Sequence, residues 1–262
     1  MSALAIIAGG GTLPERLAAA HPDALVAELE GFGRGIAGAE SFRLERLVPF
    51  LDSLCERGVT HVVFAGGLRR PRLDPALFDM RTAAMVPRIV TAMQAGDDAT
   101  LREVIAIFED WDLAVVGAAD LLPDLVAEPG VLVGTPGPEA EADVTRAAQI
   151  VEALGAVDVG QGAVVARGQC LAVETVPGTD AMLAFVAAHR AHLPAGGVLW
   201  KAPKPGQELR IDMPAIGPST VEGAHAAGLS GIAIAAGGVM ILDRAATLAR
   251  AEALGLWLWA RA

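Results

Sequence analysis

The sequence predicts an α/β fold, because short apolar runs alternate with amphipathic stretches along its first half. Two of these apolar runs lead directly into glycine-rich turns, which is typical of the edge of a parallel sheet. The chain of 262 residues is 53% hydrophobic, which favours a packed core over a disordered chain. Its length suits one large domain or two small ones, at roughly 100–200 residues per domain.

The first half predicts a doubly wound unit in which strands and helices alternate. Strands are expected at residues 3–8, 25–29, 59–65 and 113–117, and helices at 14–20, 44–56 and 100–110. Pro14 suits the first turn of its helix, where the missing backbone donor has no intrahelical partner. Leu47, Leu51 and Leu54 recur at helical spacing, and Gly58 follows as a typical helix stop.

The second half predicts a unit that is richer in strands. Strands are expected at 157–165, 170–175, 198–201, 209–212, 231–235, 239–242 and 256–259, and helices at 139–154, 179–189, 218–227 and 245–254. Arg167-Gly168 predicts a hairpin turn between the first two strands. Residues 127–138 contain three prolines and three glycines. We therefore expect a linker there, between domains at 1–133 and 134–262.

The charge of the chain excludes one class of function. The net charge is −11 and there is no basic tract, whereas unspecific nucleic-acid binding needs a positive surface. Cys55 and Cys170 lack C-x-x-C spacing, so we expect reduced core residues of a cytosolic protein. The N-terminus has no positively charged segment, and the apolar run 232–242 is about half the ~20 residues of a spanning helix. These features predict a soluble protein, with a peripheral membrane contact left open.

Two glycine turns could bind an anion. Gly9-Gly10-Gly11-Thr12 follows the first predicted strand, and Gly66-Gly67 follows the third, so both are expected at one edge of the sheet. Backbone N–H groups in such turns can approach a phosphate, but glycines also simply form tight corners. Neither turn matches the dinucleotide fingerprint or the P-loop. Arg69, Arg70 and Arg72 follow the second turn and suit either phosphate oxygens or a solvated basic loop.

Carboxylates and lysines mark further candidate positions. The aspartates of Gly96-Asp97-Asp98 could stabilise the start of a helix or help to hold a divalent metal. Lys201 and Lys204 are the only lysines of the chain and precede Arg210 and Asp212. On the expected strand, Arg210 and Asp212 share a face, where an ionised aspartate could hold Mg²⁺ or orient a water. A structural ion pair is the alternative. The spacing of the histidines predicts neither a zinc site nor a catalytic histidine.

A set of motifs spans nearly the whole chain. They are IIAGGGTLP at 6–14, FAGG at 64–67 with Arg70-Pro71, GDD at 96–98, DVGQGAVV at 158–165, GTDAML at 178–183, KAPKP at 201–205 and RIDMPAIG at 210–217. In this order they resemble the motifs of the LpxI family, the metal-dependent UDP-2,3-diacylglucosamine pyrophosphatases of lipid A synthesis. Met213, Ala215 and Pro177 depart from that family's usual Leu, Thr and Glu.

The resemblance implies a fold and a reaction. It implies a Rossmann-like domain on the nucleotide side at 1–133 and a distinct catalytic α/β domain at 134–262, with substrate held between them. Water would attack the α-phosphorus of UDP-2,3-diacylglucosamine and release UMP and 2,3-diacylglucosamine 1-phosphate (lipid X). No covalent nucleophile is evident, which agrees with direct hydrolysis assisted by a metal.

The resemblance implies one catalytic residue, Asp212, and the other candidate site residues follow from the residues themselves. Asp212 corresponds to the family's essential aspartate and would bind the divalent ion, Mg²⁺ or another such as Mn²⁺, or orient the water, with Asp98 as a second metal ligand. Lys201, Lys204 and Arg210 would offset the charge that builds on the diphosphate. The residues expected to bind substrate are Gly10, Gly11, Thr12, Leu13, Gly66, Gly67, Leu68, Arg70, Gln161, Thr179, Asp180 and Gln207.

The expected partners follow from this substrate. We expect a cytoplasmic homodimer that contacts the inner-membrane surface transiently to reach UDP-diacylglucosamine, and no nucleic acid. A nucleotide-sugar or lipid binding protein without catalysis is the alternative on the same fold. An NAD-dependent enzyme is a third possibility, which the missing G-x-G-x-x-G disfavours.

Overall fold

The chain forms two compact units. The computed structural model describes residues 3–33, 35–67 and 73–262. Unit 1 comprises Met1–Pro123 and Glu208–Asp212, and unit 2 comprises Asp124–Gln207 and Met213–Ala262. The units therefore divide at 123/124, whereas the linker composition placed the division at 133/134. Residues 208–212 pack with unit 1, although their sequence neighbours on both sides belong to unit 2.

Unit 1 is a parallel sheet with helices. In its described residues the strands are β1 (Leu4–Ala8), β2 (Leu25–Leu29), β3 (Glu40–Phe42), β4 (His61–Ala65) and β5 (Ala114–Val116). The helices are α1 (Leu13–Ala20), α2 (Leu47–Glu56), α3 (Met80–Ala95), α4 (Asp97–Glu109) and α5 (Ala118–Leu121), with 3₁₀ turns at Leu44–Arg46 and Pro75–Leu77. The predicted strands and helices of the first half are confirmed, with ends that differ by up to three residues.

The strands of unit 1 are ordered β3-β2-β1-β4-β5, and all of the pairs are parallel. Leu47, Leu51 and Leu54 of α2 are buried in one core with Ile7 and Val62 of the sheet. The apolar face that the spacing predicted for α2 is thus the face that it buries. Because β1 and β4 are adjacent and parallel, both glycine turns lie at the same edge, as predicted.

Helix α3 has no counterpart in the sequence prediction. Its N-cap is Asp79, whose carboxylate accepts hydrogen bonds from the backbone N–H groups of Arg81 and Thr82 at 3.0 and 3.1 Å. Pro87 lies inside the helix. An internal proline removes a backbone hydrogen bond and normally ends a helix. The segment therefore lacked a helical signature, although the cap residue is a recognisable start.

Unit 2 contains a mixed sheet. The strands are β6 (Gly130–Val133), β7 (Gly162–Ala166), β8 (Gln169–Val173), β9 (Val198–Lys201), β10 (Ala215–Ile216), β11 (Gly231–Ala235), β12 (Met240–Ile241) and β13 (Trp257–Arg261). The helices are α6 (Ala140–Gly155), α7 (Gly178–Ala188), α8 (Pro218–Ala226) and α9 (Arg244–Ala253), with a 3₁₀ turn at Arg190–His192. The six-stranded sheet has the order β6-β13-β11-β9-β7-β8, and β10 pairs with β12 separately. The α/β fold class is confirmed for both units.

Helices cover both faces of the six-stranded sheet. Alternate residues of β7 and β9 belong to different cores: Val164 and Leu199 pack with α7, α8 and α9, whereas Val165 and Val198 pack with α6. Side chains alternate between the faces of a strand, so both faces must be apolar when both are covered. This explains why the strands of unit 2 are continuous apolar runs.

Three local predictions are wrong. Strand β6 lies inside the segment that composition marked as a linker, and it pairs antiparallel with β13. Residues 209–211 form a turn instead of a strand, because backbone N–H groups bond back to Glu208. Cys55 and Cys170 are exposed free thiols instead of core residues, at the end of α2 and on edge strand β8. Among the described residues, no helix combines the length and apolarity that crossing a membrane requires.

Candidate functional site

The two glycine turns of unit 1 are hydrogen-bonded to each other. The N–H of Gly10 donates to the carbonyl of Gly67 at 2.9 Å, and the N–H of Gly67 donates to the carbonyl of Gly10 at 3.0 Å. Gly66 has φ +88°, and a Cβ on Gly9 would lie 2.8 Å from the Gly67 oxygen. Glycine is required here because the two backbones approach too closely for a side chain.

This pairing changes which groups could bind an anion. The N–H groups of Gly10 and Gly67 are used in this pairing, so a nucleotide bound through backbone N–H groups would depend on other groups of the two turns. Gly11 and Thr12 are exposed just before α1, and Leu13 is its buried first residue. The helix dipole favours negative charge at this end. The predicted residues Leu68 and Arg70 lie outside the described residues.

A charged network in unit 1 surrounds Arg210. Its Nε and Nη2 donate to the two carboxylate oxygens of Glu208 at 3.0 and 2.8 Å, and its Nη1 donates to Glu109 at 2.8 Å. The hydrogen bond from Arg210 lowers the pKa of Glu208, against the opposing effect of burial. The bond to Glu208 likewise raises the pKa of Arg210. Arg210 therefore holds two carboxylates of its own unit.

The same network fixes the turn that carries Asp212. The N–H of Asp212 donates to the carbonyl of Glu208 at 3.0 Å. The N–H of Glu208 in turn donates to Oδ1 of Asp98 at 3.3 Å, and Oδ2 of Asp98 accepts from Arg102 at 2.7 Å. Asp98 lies in the first turn of α4. The two predicted metal ligands, Asp98 and Asp212, are thus both hydrogen-bonded to the backbone of Glu208, Asp98 to its N–H and Asp212 to its carbonyl.

These carboxylates could supply only part of a metal site. Within the described residues, no three side chains of His, Cys, Asp or Glu are grouped closely enough to hold an ion. Mg²⁺ is commonly held by one or two carboxylates, with substrate phosphates and water as its other ligands. Two carboxylates, such as Asp98 and Asp212, match that number of protein ligands, whereas a closed site made by protein alone would need more.

Lys201 of unit 2 is buried in an ion pair that the sequence did not predict. Its side chain is 5% exposed, and its Nζ lies 3.1 Å from Oε2 of Glu174, which is 9% exposed. The ammonium also donates to the hydroxyl of Thr179 at 2.5 Å, and this hydroxyl donates to Glu174 at 3.0 Å. Lys201, Glu174 and Thr179 form a closed triangle of hydrogen bonds.

Gly160 and Gly162 make room for Glu174. A Cβ on Gly162 would lie 2.5 Å from Oε2 of Glu174, and a Cβ on Gly160 would overlap the Glu174 carbonyl oxygen. The N–H of Glu174 donates to the carbonyl of Gly162 at 2.8 Å. The two glycines of the DVGQG motif therefore leave the space that the buried glutamate occupies.

Lys204 and two glutamines form a second cluster of unit 2. Lys204 donates to Asp158 at 2.5 Å, and its side chain is 16% exposed. The side chain of Gln207 accepts from the Lys204 N–H at 2.7 Å and donates to Gln161 at 3.1 Å. The N–H of Ala202 donates to the carbonyl of Gln161 at 3.1 Å, which connects this cluster to the segment of Lys201.

The structure thus groups the predicted residues within each unit. In unit 2, the triangle and the second cluster together form what we call the polar cluster. Its predicted residues are Gln161, Thr179, Lys201, Lys204 and Gln207. Asp180 lies exposed in the first turn of α7. The N-cap of that helix is Pro177, so the alternative that Thr179 or Asp180 is the N-cap is wrong. Unit 1 contains the glycine turns, Asp98, Arg210 and Asp212.

Sequence reasoning missed Glu109, Glu208 and Glu174 as partners of the predicted cations. Glu208 lies two residues before Arg210, so their pairing could have been considered. Glu109 and Glu174 lie 101 and 27 residues from their partners, and no spacing signal connects them.

The comparisons with known proteins cover both units. A model of the LpxI N-terminal domain matches residues 3–125, and a model of the LpxI C-terminal domain matches residues 128–259. The chain is 37% identical over 289 residues to a Caulobacter vibrioides protein named UDP-2,3-diacylglucosamine pyrophosphatase LpxI. That similarity covers 98% of this chain and 97% of the relative.

Proposed function

The chain belongs to the LpxI family, and from this premise we propose that it hydrolyses UDP-2,3-diacylglucosamine at the α-phosphorus. The products would be UMP and 2,3-diacylglucosamine 1-phosphate. The observation that carries the proposal is the polar cluster of unit 2, because residues from separate family motifs meet there through side-chain hydrogen bonds. Lysines in such a cluster suit a diphosphate substrate.

The residues have different roles in this proposal. Asp212 orients the attacking water or binds the ion, since its turn is held by the Arg210 network. Lys204 is the more accessible lysine and would meet the diphosphate by leaving Asp158, an exposed partner. Arg210 is better assigned to positioning the Asp212 turn than to neutralising substrate, because Glu208 and Glu109 already occupy its guanidinium. Gly11 and Thr12 would approach the nucleotide end.

A divalent cation, Mg²⁺ or Mn²⁺, belongs to this proposal. Asp98 and Asp212 would hold it, together with oxygens of the substrate. When bound, such an ion polarises the phosphoryl group and neutralises developing charge. Loss of UMP release in excess chelator, restored by added Mg²⁺ or Mn²⁺, is the expected result.

An apolar groove of unit 2 favours a lipid substrate. It has a volume of about 300 Å³ and is lined by residues around the start of α7, including Pro177, Met182 and Phe185. Phe185 and Val176 are exposed there, in the segment that flanks Thr179. We include a transient contact with the inner-membrane surface and a homodimer in the proposal. Vesicle sedimentation and the mass of the protein in solution test these two parts.

The substitution Asp212→Ala tests the reaction. The variant should bind substrate but lose turnover by several orders of magnitude, because the group that acts on the water or ion is removed. UMP release from UDP-2,3-diacylglucosamine is the measurement, and Asp23→Ala is the control because Asp23 is an exposed aspartate of the same unit.

Two outcomes would contradict the proposal. An Asp212→Ala variant within about tenfold of the wild-type rate would exclude the assigned role. A wild-type protein that binds the substrate with Mg²⁺ present but releases no UMP would instead be a nucleotide-sugar or lipid binding protein. Binding of NAD would favour the third alternative.

A further inference from the structure

We propose that Glu174 is a positioning residue for hydrolysis: it holds the Lys201 ammonium and the Thr179 hydroxyl in the orientation in which they meet the anionic substrate. This inference rests on the proposed function. It adds a role for a residue that the sequence analysis did not select, and it changes how Lys201 is understood, since the lysine is directed by a buried partner.

Burial is the first argument for this role. The side chains of Lys201 and Glu174 are only 5% and 9% exposed. A buried charge is stable only when it is paired and hydrogen-bonded. Without Glu174, the ammonium would lose its counter-charge, and its direction would no longer be fixed by two acceptors.

The hydrogen-bond count is the second argument. A lysine ammonium has three N–H donors. Among the described residues, they face Oε2 and Oε1 of Glu174, at 3.1 and 3.4 Å, and the hydroxyl of Thr179, at 2.5 Å. A substrate oxygen would take the place of the longest of these contacts, the one to Oε1. The triangle therefore restricts Lys201 to one direction, as expected of a group that is held ready before substrate arrives.

The space that the backbone leaves around Glu174 is the third argument. Gly160 and Gly162 provide the space for this glutamate, and a Cβ at either position would collide with it. Gly162 thus leaves room for the carboxylate of Glu174, and Gly160 leaves room for its backbone carbonyl. The carboxylate itself would repel a diphosphate, so it acts through Lys201 and Thr179 and not by touching the substrate.

The substitution Glu174→Gln tests the inference, because it keeps the shape of the side chain and removes its charge. We expect kcat for UMP release to fall about 100-fold, as for a misplaced catalytic group, with a much smaller change in KM. Glu222→Gln is the matched control, since Glu222 forms an exposed ion pair with Arg250 in the same unit. The control should keep wild-type kcat. Thermal unfolding of each variant separates lost stability from lost turnover.

A double-mutant comparison separates positioning from a purely structural role. If Glu174 acts through Lys201, then Lys201→Met and the double variant Glu174→Gln/Lys201→Met have the same kcat, within about threefold. If the two substitutions acted independently, the factors by which each lowers kcat would instead multiply in the double variant. The double variant contains no unpaired buried charge, whereas Lys201→Met leaves the buried Glu174 carboxylate without its partner. Thermal unfolding of both variants therefore establishes that each is folded before their kcat values are compared, and Glu174→Gln alone is not needed for this comparison.

Several results would overturn the inference. Multiplied effects in the double variant, or a folded Glu174→Gln variant with wild-type kcat, would overturn it while leaving the proposed function intact. No UMP release by the wild-type protein would overturn both together.

Discussion

Arg210 donates to one carboxylate within the turn that carries Asp212 and to a second carboxylate outside it. The pair with Glu208 is bidentate, and the third bond reaches Glu109 at the end of α4. A planar guanidinium can make all three bonds at once, whereas an ammonium is a single point of charge. The residue thus connects α4 to the 208–212 turn by geometry as well as by charge.

The substitution Arg210→Lys should therefore lower kcat by about tenfold or more, although the positive charge is kept. The bidentate geometry is lost and the Asp212 turn is held less firmly. UMP release is the measurement, and Arg57→Lys is a suitable control because Arg57 forms an exposed bidentate pair with Glu40 in unit 1. Wild-type kcat in Arg210→Lys would show that the bidentate geometry is not needed.

Among the structural elements, the hairpin of β7 and β8 shows how a turn is fixed from a distance. Its central residues have positive φ, +51° at Arg167 and +75° at Gly168. Their N–H groups donate to the buried carboxylate of Asp143 on α6, at 3.0 and 2.7 Å. The helix thus supplies acceptors for a turn that an arginine disfavours, since the left-handed region suits Gly and Asn.

Two substitutions should change the stability of this hairpin in opposite directions. Arg167→Asn should stabilise the protein by about 0.5 kcal/mol, because Asn-Gly is the preferred pair for such a turn. Asp143→Ala should destabilise it by about 1–3 kcal/mol, because two N–H groups lose their acceptor. Denaturant unfolding measures both, and equal unfolding free energies for the two variants would refute the explanation.

The elements differ in how far they could be predicted. Pro14 marked the start of α1, the leucine spacing with Gly58 identified α2, and the Arg167-Gly168 pair identified the hairpin, because each signal is local. Residues 209–212 were predicted as a strand, but the N–H groups of Ile211 and Asp212 bond back to the carbonyl of Glu208, so residues 209–211 form a turn. Arg210 of this turn pairs with Glu109, which is distant in the sequence. Glu174 was not selected because its partner Lys201 lies 27 residues away in the sequence, at the end of β9, whereas Glu174 itself follows β8. Local signals cannot report such contacts.

For the whole molecule, the acidic composition predicts a stability that depends on pH. Hydrogen bonds from arginines lower the pKa values of Glu40 and Glu208, and bonds from Trp111 and Arg81 lower that of Asp52. A carboxyl whose pKa is lower in the folded state stabilises the protein above its unfolded pKa. This contribution is lost as the pH falls through the folded value. All three residues belong to unit 1.

The unfolding temperature should therefore fall as the pH is lowered from about 4.5, the ordinary range of a glutamate. Glu208→Gln should unfold at a lower temperature than wild type at pH 7, and the difference should shrink in acid. Thermal unfolding between neutral and acidic pH measures this, with the exposed Glu56→Gln as the control. A difference that grows in acid would contradict the assigned sign.

Because residues 208–212 belong to unit 1, neither unit is a single continuous segment of the chain. The backbone passes between the units three times, at 123/124, 207/208 and 212/213. Cleavage after Pro123 would thus yield an N-terminal fragment without the proposed catalytic aspartate and a C-terminal fragment that carries Ile211, a residue of the other core. Any truncated or split protein that is cut at 123/124 would therefore divide unit 1. The two units are thus interleaved along one polypeptide, and a single cut at 123/124 does not separate them into two complete units.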